Sequence, residues 1–569
     1  MKRRGVTWIS FVLVLVMAAS LFAACGKKND DSKDNSKTNT NSSTSDDTQK
    51  ENSDQQTPEE DGDGTPEQTA PEEKDFFPLE EKTEFSLWTV DNGMMTPGYE
   101  ATDTAALVEE ATNVHLKVAW VTANEAQEKF GLMIASGDIP DMVYSGVNSY
   151  YTGGPIQAVK DGLFLEMTDL IDQYMPTYKA ILDSNEQLKK DVTADDGKRY
   201  SLYSIYMDDN MNLDTNLNFI GMAVRKDWLD EAGLEMPVTI DDWTEALTAF
   251  KNRGVESPLM IGNNGRIQCG AFLTAYGVLE GFYMDGDTVK FGPAEPGYKE
   301  YLQQMKDWYD AGLLDQNFTA NNAYALTELE NIGGDKTGMC SIWWQFGGTT
   351  VKGMGYPVAD DYFLAYAPNP VLNESDPVRG ASQPSMVSAQ LCVNSNVTGE
   401  RLETLCRYLD YHYTKESMYY HFYGEENVHY TVESDGKASY SAMMTEDSEL
   451  NVHEMRIAHL SNWVGALATG VDYAAHEKGT DECLDMQSAW DADYSLVYPP
   501  FATMTGEETE EFNVIYTSIT TLVDEMSTKC ILGVESLDTY DSYVEQLYQY
   551  GLQRCIDLKQ AAYDRYQNR

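Results

Sequence analysis

The chain has 569 residues and a formal net charge of −53, with 93 aspartates and glutamates against 40 lysines and arginines. This excess of acid argues against a nucleic acid partner, because phosphate backbones are bound by clustered lysines and arginines. The length is sufficient for two domains or two large lobes, and an acidic surface supports solubility without identifying a ligand.

The N-terminus has the pattern of an export signal. Basic residues at positions 2–4 precede an apolar run over 6–19 that is short for a membrane span. The next segment, Leu-Phe-Ala-Ala-Cys at 21–25, resembles a bacterial lipobox, although Phe22 replaces the usual leucine-like residue. The resemblance implies a lipoprotein signal peptide over 1–24 and a mature chain that begins with a lipidated Cys25. The alternative is an ordinary secretory signal followed by a chance cysteine.

The segment after Cys25 is polar and rich in acid, with almost no large apolar residue before Phe76. Such a segment cannot bury enough apolar surface to offset the entropy lost on ordering. We therefore predict that 25–81 is the lipidated cysteine with a disordered acidic tether, and that 82–569 is the folded body. A flexible chain of roughly 55 residues has a root-mean-square reach on the order of 40 Å.

The body begins with alternating strand and helix patterns. Strands are predicted over 84–90, 115–121 and 141–144, and helices over 101–111 and 124–135. Strand, helix, strand, helix, strand in this order is typical of a parallel sheet in an α/β fold.

Helix signals continue through the body. Thr239 and Asp242 have the spacing of a capping box at the start of an amphipathic helix. Another helix is predicted over 297–311 by its apolar face and the glycine that follows it. From about 507 the chain is predicted to be mostly helical to its end. The predicted class is therefore an α/β architecture with a large helical share.

The cysteines do not have the pattern of a disulfide framework. The chain has eight, of which seven follow Cys25 at scattered positions between Cys269 and Cys555 with no CxxC pair. We expect most of them to be small buried hydrophobic residues.

Five segments resemble motifs of family 1 extracellular solute-binding proteins, and they occur in the order found in that family. They are Phe-Gly-Leu-Met-Ile-Ala-Ser-Gly-Asp-Ile-Pro-Asp at 130–141, Asp-Asp-Gly-Lys-Arg-Tyr at 195–200, Arg-Lys-Asp-Trp-Leu at 225–229, Trp-Tyr-Asp-Ala-Gly-Leu at 308–313 and Gln-Ala-Ala-Tyr-Asp-Arg-Tyr at 560–566. Each motif alone is weak, but together they span nearly the whole mature chain.

The resemblance implies a fold, a function and a location. The fold is a type II periplasmic-binding-protein-like structure with two α/β lobes, a hinge and a first crossing between lobes near 205–220. The implied function is the substrate-binding component of an ABC importer, which grips a saccharide between the lobes and delivers it to the membrane permease. The implied protein is a monomer without a cofactor, held by its lipid at the extracellular face of the bacterial membrane.

One departure from the family concerns calcium. Some members, including alginate-oligosaccharide binders, carry an Asp/Asn/Gly-rich calcium loop after the helix containing the Asp-Trp pair. The corresponding residues here, Phe-Lys-Asn-Arg-Gly-Val-Glu-Ser-Pro at 250–258, lack the alternating oxygen ligands that calcium requires. We predict no calcium at this position and no metal site elsewhere.

A saccharide site needs aromatic rings for the apolar sugar faces and oriented polar groups for the hydroxyls. Ligands of open α/β sheets bind beyond the carboxyl ends of strands. Trp88 and Asp91 lie at the end of the first predicted strand, and Ser145 and Asn148 follow the third. These four residues are predicted ligand contacts.

Further candidates come from aromatic clusters and from charged residues near strand ends. Adjacent tryptophans before a glycine-rich segment are unusual as core residues, so at least one of that pair is predicted to face the cleft. The charged pair has an equal alternative as an ion pair at the start of a helix. The candidates are Trp343 and Trp344 as the adjacent pair, Tyr203 and Tyr206 at a hinge crossing, Trp463, Trp490, and the charged pair Arg225 and Asp227.

Catalytic motifs are not found in the sequence. His453 and His459 do not form HExxH, because Ile457 holds the place of the second histidine. Carboxylate pairs are too common in so acidic a chain to single out a glycosidase dyad. The prediction is a binding protein that is not an enzyme. The alternatives are a secreted glycan-degrading enzyme and a glycan-sensing or adhesion lipoprotein without transport.

Overall fold

The structure is a computed structural model, and contacts along the chain group Glu73–Arg569 as one unit. The described residues are 76–91, 98–215, 217–262, 266, 269–321, 330–344, 347, 362–434, 437–446, 450, 452–460, 466–472 and 480–569.

A six-stranded sheet forms the first lobe. The three predicted strands pair in parallel, with the second and third on either side of the first. A later strand, β10 (Val387–Val393), pairs antiparallel with the third predicted strand on one side and with β4 (Leu202–Met207) on the other. The strands, in spatial order, are β13 (Ala468–Gly470), β4 (Leu202–Met207), β10 (Val387–Val393), β3 (Met142–Tyr144), β1 (Thr83–Asp91) and β2 (Val114–Thr122).

A smaller antiparallel sheet forms the second lobe. Its central strand, β5 (Ile220–Arg225), continues directly into a helix that begins at Lys226. Two short hairpins complete the described strands. The three-stranded sheet has the order β8 (Met339–Trp343), β5 (Ile220–Arg225), β9 (Leu364–Ala367), and the hairpins are β6 (Phe282–Asp285) with β7 (Thr288–Phe291) and β11 (Tyr430–Val432) with β12 (Ala438–Tyr440).

Helices cover both lobes and make up the C-terminal part of the chain. The described α-helices are α1 (Asp103–Thr112), α2 (Ala126–Ser136), α3 (Gly146–Tyr150), α4 (Gly154–Lys160), α5 (Thr168–Tyr174), α6 (Pro176–Asp183), α7 (Glu186–Asp191), α8 (Lys226–Ala232), α9 (Ile240–Arg253), α10 (Pro296–Asp310), α11 (Gly399–Tyr411), α12 (Lys415–Phe422), α13 (Ala442–Thr445), α14 (Val452–His459), α15 (Thr480–Ala489), α16 (Gly506–Ile531), α17 (Tyr540–Gln549) and α18 (Leu552–Gln567). The predicted α/β class with a large helical share is confirmed.

Local capping explains where two of the long helices begin. The Thr239 hydroxyl accepts a hydrogen bond from the Asp242 N–H, and the Asp242 carboxylate accepts one from the Thr239 N–H, so the predicted capping box of α9 is confirmed. Thr505 and Glu508 form the same reciprocal pair at the start of α16. Each box satisfies backbone N–H groups that the first helical turn leaves unpaired.

Each lobe has its own core. The first core lies between the six-stranded sheet and the helices α5, α6, α11 and α12, and it extends onto one face of the smaller sheet. The second core is built from α9, α10, α16, α17 and the start of α18. Trp243 and Trp308 are both buried in the second core, and the Trp308 ring nitrogen donates to the Thr244 hydroxyl at 2.9 Å.

The chain passes between the two sheets repeatedly. Residues 208–219 lead from β4 to β5, residues 368–386 lead from β9 back to β10, and the chain after β13 leads to α16 in the second lobe. The end of the second crossing lies beside β4, because the Tyr206 N–H donates to the Met386 carbonyl at 2.9 Å. The lobes are therefore discontinuous in sequence.

The folded unit begins earlier than residue 82, where the sequence placed it. Phe77 packs against the first core with its ring 5.9 Å from that of Tyr411. Leu79 is tied to the end of α1, since its N–H donates to the Thr112 carbonyl at 3.0 Å and its carbonyl accepts from the Asn113 side chain at 2.9 Å. The few apolar side chains after Phe76 supply enough burial to order this segment, so the predicted tether boundary at 81 is too late.

The cysteines whose side chains are described fit the expectation of small buried hydrophobic residues. Burial raises the pKa of the Cys530 and Cys555 thiols to about 11. Across the described part of the chain, no helix is both long and apolar enough to cross a membrane. The described buried cysteines are Cys269, Cys340, Cys392, Cys406, Cys530 and Cys555.

Candidate ligand site between the lobes

Trp88, a predicted ligand contact, lies in the core and is only 4% exposed. Its ring meets those of Phe130 and Tyr150 edge-on, with centroids 5.7 and 6.3 Å away. A side chain at Gly146 would overlap this ring, because a Cβ there would lie 2.5 Å from it. Successive residues of a strand face opposite sides of the sheet, and Trp88 faces the side covered by α2 and α3. In this structure Trp88 is therefore a core residue and does not line the cleft.

Arg225 and Asp227 form a structural ion pair instead of a ligand contact. Both are buried, and the guanidinium binds the carboxylate through two hydrogen bonds of 2.9 and 2.6 Å. The guanidinium also lies over the rings of Trp228 and Tyr362, at 4.0 and 4.4 Å from their centroids. The guanidinium joins the end of β5 to the start of α8. The structure therefore supports the alternative interpretation of Arg225 and Asp227, an ion pair at the start of a helix.

Three more predicted aromatic contacts are buried. Tyr206, Trp344 and Trp490 are 5%, 3% and 7% exposed. The Trp490 ring covers Gly221, where a Cβ would lie 2.2 Å from the ring, and its ring nitrogen donates to the Met222 carbonyl at 3.1 Å. All three rings belong to the first core.

Trp343 is the partly exposed member of the tryptophan pair. Its ring lies 5.8 Å from that of Phe219, which is 39% exposed. The Phe219 carbonyl accepts a hydrogen bond from the Trp344 N–H at 2.9 Å, which holds the two segments together. Trp343 and Phe219 thus form a partly open aromatic surface where the chain first enters the second lobe.

Two predicted contacts cannot be placed, and two follow β3. The side chain of Asp91 and all of Trp463 lie outside the described residues. Ser145 adopts a left-handed conformation with φ of 58°, and its N–H donates to the Gln390 carbonyl at 2.7 Å. Asn148 is exposed and lines a pocket between the lobes.

This interlobe pocket has a volume of about 600 Å³. The first lobe contributes residues of α3 and α4, the segment 191–203 and Gln390 of β10. The last crossing segment contributes 500–504, and the second lobe contributes residues of α16 together with Lys559 of α18. The volume falls within the range of about 300–1,000 Å³ that is usual for small-molecule sites.

The pocket offers both aromatic and hydrogen-bonding groups. Tyr203 and Phe501 both line the pocket and meet edge-on, with ring centroids 6.2 Å apart. The Gln390 side-chain amide donates to the Tyr203 hydroxyl at 2.8 Å, which orients both groups. Tyrosines 150, 151 and 200 line the same pocket, as do the polar side chains of Asn148, Ser149, Thr152, Thr503 and Asn513.

Charged residues also line the pocket. The Asp191 carboxylate accepts hydrogen bonds from the Tyr566 hydroxyl at 2.6 Å and from the Gln187 amide at 2.8 Å. Burial raises the pKa of Asp191, and the bond from Tyr566 opposes this rise. The cations are Lys198, Lys559 and Arg569, in a chain whose net charge is strongly negative.

The end of α18 connects the lobes beside the pocket. The Asp195 carboxylate of the first lobe accepts from the Arg565 Nε at 2.9 Å and from the Arg569 Nε at 2.7 Å. The start of the same helix is buried in the second core. We call this pair of contacts to Asp195 the interlobe brace.

Replacing Asp195 by alanine is expected to lower the free energy of unfolding by about 1–3 kcal/mol, because the Arg565 guanidinium and the Arg569 guanidinium, whose side chain is only 4% exposed, lose their shared acceptor. Urea unfolding measures the change, which should shrink as salt is added. Glu525→Ala removes an exposed pair within α16 and should change stability by no more than about 0.5 kcal/mol. If Asp195 and Arg569 interact, the double variant Asp195→Ala/Arg569→Gln should lose less stability than the sum of the losses in the two single variants. Losses in unfolding free energy that add fully would contradict the interlobe brace.

One group of side chains has the composition of a metal site. Asp103, His429 and His459 place ligand atoms within 4.8 Å of one another. The His429 Nδ1 accepts from the Glu425 N–H at 3.0 Å, so the neutral ring carries its proton on Nε2 and donates it to Asp103 at 3.1 Å. A metal on Nε2 would require a proton on Nδ1, where the backbone N–H already points. The tautomer therefore favours a hydrogen-bonded bridge over a metal centre.

Several pocket residues were not identified from the sequence. The sequence signals used for the other candidates, strand ends and clusters of aromatic residues, do not apply to Phe501, Gln390 and Lys559. These three residues come together only because the lobes pack against each other. The signal closest to them was the predicted helical C-terminal region, which contains Lys559.

Residues 96–389 match the family model described as bacterial extracellular solute-binding protein. Among curated proteins, the fructooligosaccharide ABC transporter substrate-binding protein FusA of Streptococcus pneumoniae is 26% identical over 520 residues, which is 86% of this chain and 92% of that protein.

Solved structures show the same architecture. S. pneumoniae FusA in complex with kestose matches with a TM-score of 0.67 and 21% identity, covering 85% of this chain and 99% of that one. The alginate-binding protein AlgQ2 without calcium ion matches with a TM-score of 0.66 and 22% identity, covering 85% of this chain and 98% of that one. The shared architecture confirms the predicted two-lobed type II fold.

Proposed function

We propose, from the premise that the chain belongs to the bacterial extracellular solute-binding protein family, that it captures a saccharide for an ABC importer. An oligosaccharide is the expected ligand, and a membrane permease is the expected partner. The curated relative FusA, which aligns along most of its length, is a fructooligosaccharide transporter component.

The observation that carries this proposal is the interlobe pocket. Its walls come from both lobes and combine tyrosine and phenylalanine rings with amide and hydroxyl groups. Rings stack on the apolar faces of sugars, and oriented amides and hydroxyls bond to their hydroxyl groups. A ligand that touches both lobes stabilises the closed arrangement over an open one. The closed form is the one that a permease would recognise, and no chemical step on the ligand is needed.

We further propose that the protein is held at the outer face of the membrane through a lipid on Cys25. The support is the lipobox-like segment 21–25 and the polar segment that follows it. Detergent partitioning and mass spectrometry of the exported protein test this. A mature chain without a lipid, or one cleaved elsewhere than before Cys25, would contradict the anchor.

A saccharide is expected to raise the melting temperature of the purified protein and to bind with measurable heat. A panel of neutral and acidic oligosaccharides, with short peptides as the control, is screened by thermal shift and calorimetry. Stabilisation by peptides and by none of the saccharides would overturn the proposal. Release of cleaved sugar during the same incubation would instead identify an enzyme.

The site within the protein is tested by Phe501→Ala. Loss of this ring from the pocket wall is expected to weaken saccharide binding by about fivefold to tenfold, because it removes a stacking surface. Phe363→Ala is the matched control, since Phe363 is 58% exposed and does not line the pocket. Equal affinities of the two variants would place the ligand elsewhere.

A further inference from the structure

Lys559 is the cation on the second-lobe wall of the interlobe pocket. Its ammonium group lies over three aromatic rings, at 4.9 Å from the centroid of Tyr498, 5.3 Å from Phe512 and 5.9 Å from Phe282. Ring faces attract a cation but leave its net charge uncompensated. Burial lowers the pKa of Lys559, as expected for a cation removed from water.

The other two pocket cations already have carboxylate partners. Lys198 lies 3.6 Å from Glu166, and Arg569 lies 2.7 Å from Asp195. Within the described part of the chain, no carboxylate oxygen lies within 4.0 Å of the Lys559 ammonium group. An unpaired lysine in a pocket wall is noteworthy in a protein with more than twice as many acidic as basic residues.

We propose that the interlobe pocket takes a saccharide that carries a carboxylate, such as a uronic acid residue, and that Lys559 pairs with this carboxylate. The inference rests on the proposed saccharide-binding function and narrows its ligand class. A charge-assisted hydrogen bond from a partly desolvated lysine is stronger than a bond between neutral groups. The rings around Lys559 hold the ammonium group in place before the ligand arrives, which reduces the entropy lost on binding.

The remainder of the pocket fits the sugar rather than a simple anion. Asn148, Asn513 and Gln390 provide amide groups from both lobes, and Tyr203 and Phe501 provide ring surface in the same pocket. A small inorganic anion would use Lys559 and leave these groups unused. An acidic sugar would use the cation, the amides and the rings together.

The test compares uronate di- and trisaccharides with their own methyl esters, which have the same sugars and linkages without the charge. Calorimetry on the full mature protein is expected to show binding of at least one uronate and weaker binding of its ester. Lys559→Gln should weaken uronate binding by about tenfold to a hundredfold and weaken ester binding by much less, because only the uronate loses a charge partner. Lys559→Arg should restore uronate affinity to within about threefold, because it keeps the charge.

The control is Lys529→Gln, which removes an exposed lysine of α16 that pairs with Glu525 and should not alter affinity. Binding of neutral saccharides but of no uronate would overturn this inference and leave the saccharide function intact. Uronate affinity that is equal in Lys559→Gln and wild type would also overturn it. Failure of all saccharides, acidic and neutral, would overturn the proposed function and this inference with it.

Discussion

Replacing Arg225 by methionine is expected to lower the free energy of unfolding by about 3–5 kcal/mol. The variant removes the partner of Asp227, whose side chain is only 7% exposed, and leaves a buried carboxylate without its cation. It also removes the guanidinium from between the Trp228 and Tyr362 rings. The loss is measured by urea unfolding followed by circular dichroism.

Two further variants separate the buried pair from a general effect of losing an arginine. Arg554 pairs with Glu511 at the surface, where the two side chains are 50% and 45% exposed, so Arg554→Met should cost no more than about 1 kcal/mol. Adding Asp227→Leu to Arg225→Met should recover part of the loss, because no buried charge then remains unpaired. A double variant that is less stable than Arg225→Met alone would contradict this account.

Stability is expected to fall as pH rises from 4 to 7.5 through the ionisation of Asp209, by as much as about 3 kcal/mol from this group. Asp209 lies just after β4, where the chain leaves the first sheet, and is 4% exposed. Burial raises its pKa from 3.8 to about 6, nearby Asp472 adds to the rise, and the hydrogen bond from Tyr423 opposes it.

The sign follows from the proton affinities of the two states. The folded state holds the Asp209 proton more tightly than the unfolded state, so this contribution is fully present below the unfolded pKa and is lost as pH rises through about 6. In the wild type the Tyr423 hydroxyl donates to Asp209 Oδ1 at 2.7 Å. Asp209→Asn keeps a side-chain oxygen that can accept this hydrogen bond and removes the carboxyl group that titrates. The variant should therefore match wild type near pH 4 and exceed its stability at pH 7.5.

The measurement is the difference in unfolding free energy between Asp209→Asn and wild type at each pH, which cancels the titration of the other carboxylates. Tyr423→Phe removes the hydrogen bond that favours the ionised form and should steepen the dependence. A difference that stays constant from pH 4 to pH 7.5 would show that Asp209 titrates alike in the folded and unfolded states.

Local sequence was sufficient for the elements whose ends depend on near neighbours. The capping box at Thr239 and Asp242 was predicted correctly because both partners lie within one helical turn. The first three strands and the helices between them were also predicted in order, since their patterns of apolar residues have short periods.

The direction of a side chain in a strand was harder to predict. Trp343 and Trp344 are neighbours, yet the first is partly exposed and the second buried. Trp88 lies near the end of β1, as predicted, but on the side that α2 and α3 cover. Which side of a sheet is covered depends on helices that pack from elsewhere in the chain, and residue spacing in the strand does not contain that information.

The sequence by itself determined the export signal pattern, the α/β alternation and the family motifs, because each resides in a short stretch of residues. Only the tertiary structure decided which residues meet in the interlobe pocket. Asn148, Tyr203, Gln390, Phe501 and Lys559 are brought together from distant parts of the chain because it crosses between the lobes repeatedly. Contacts between such distant residues depend on how the lobes pack, and no local pattern specifies them.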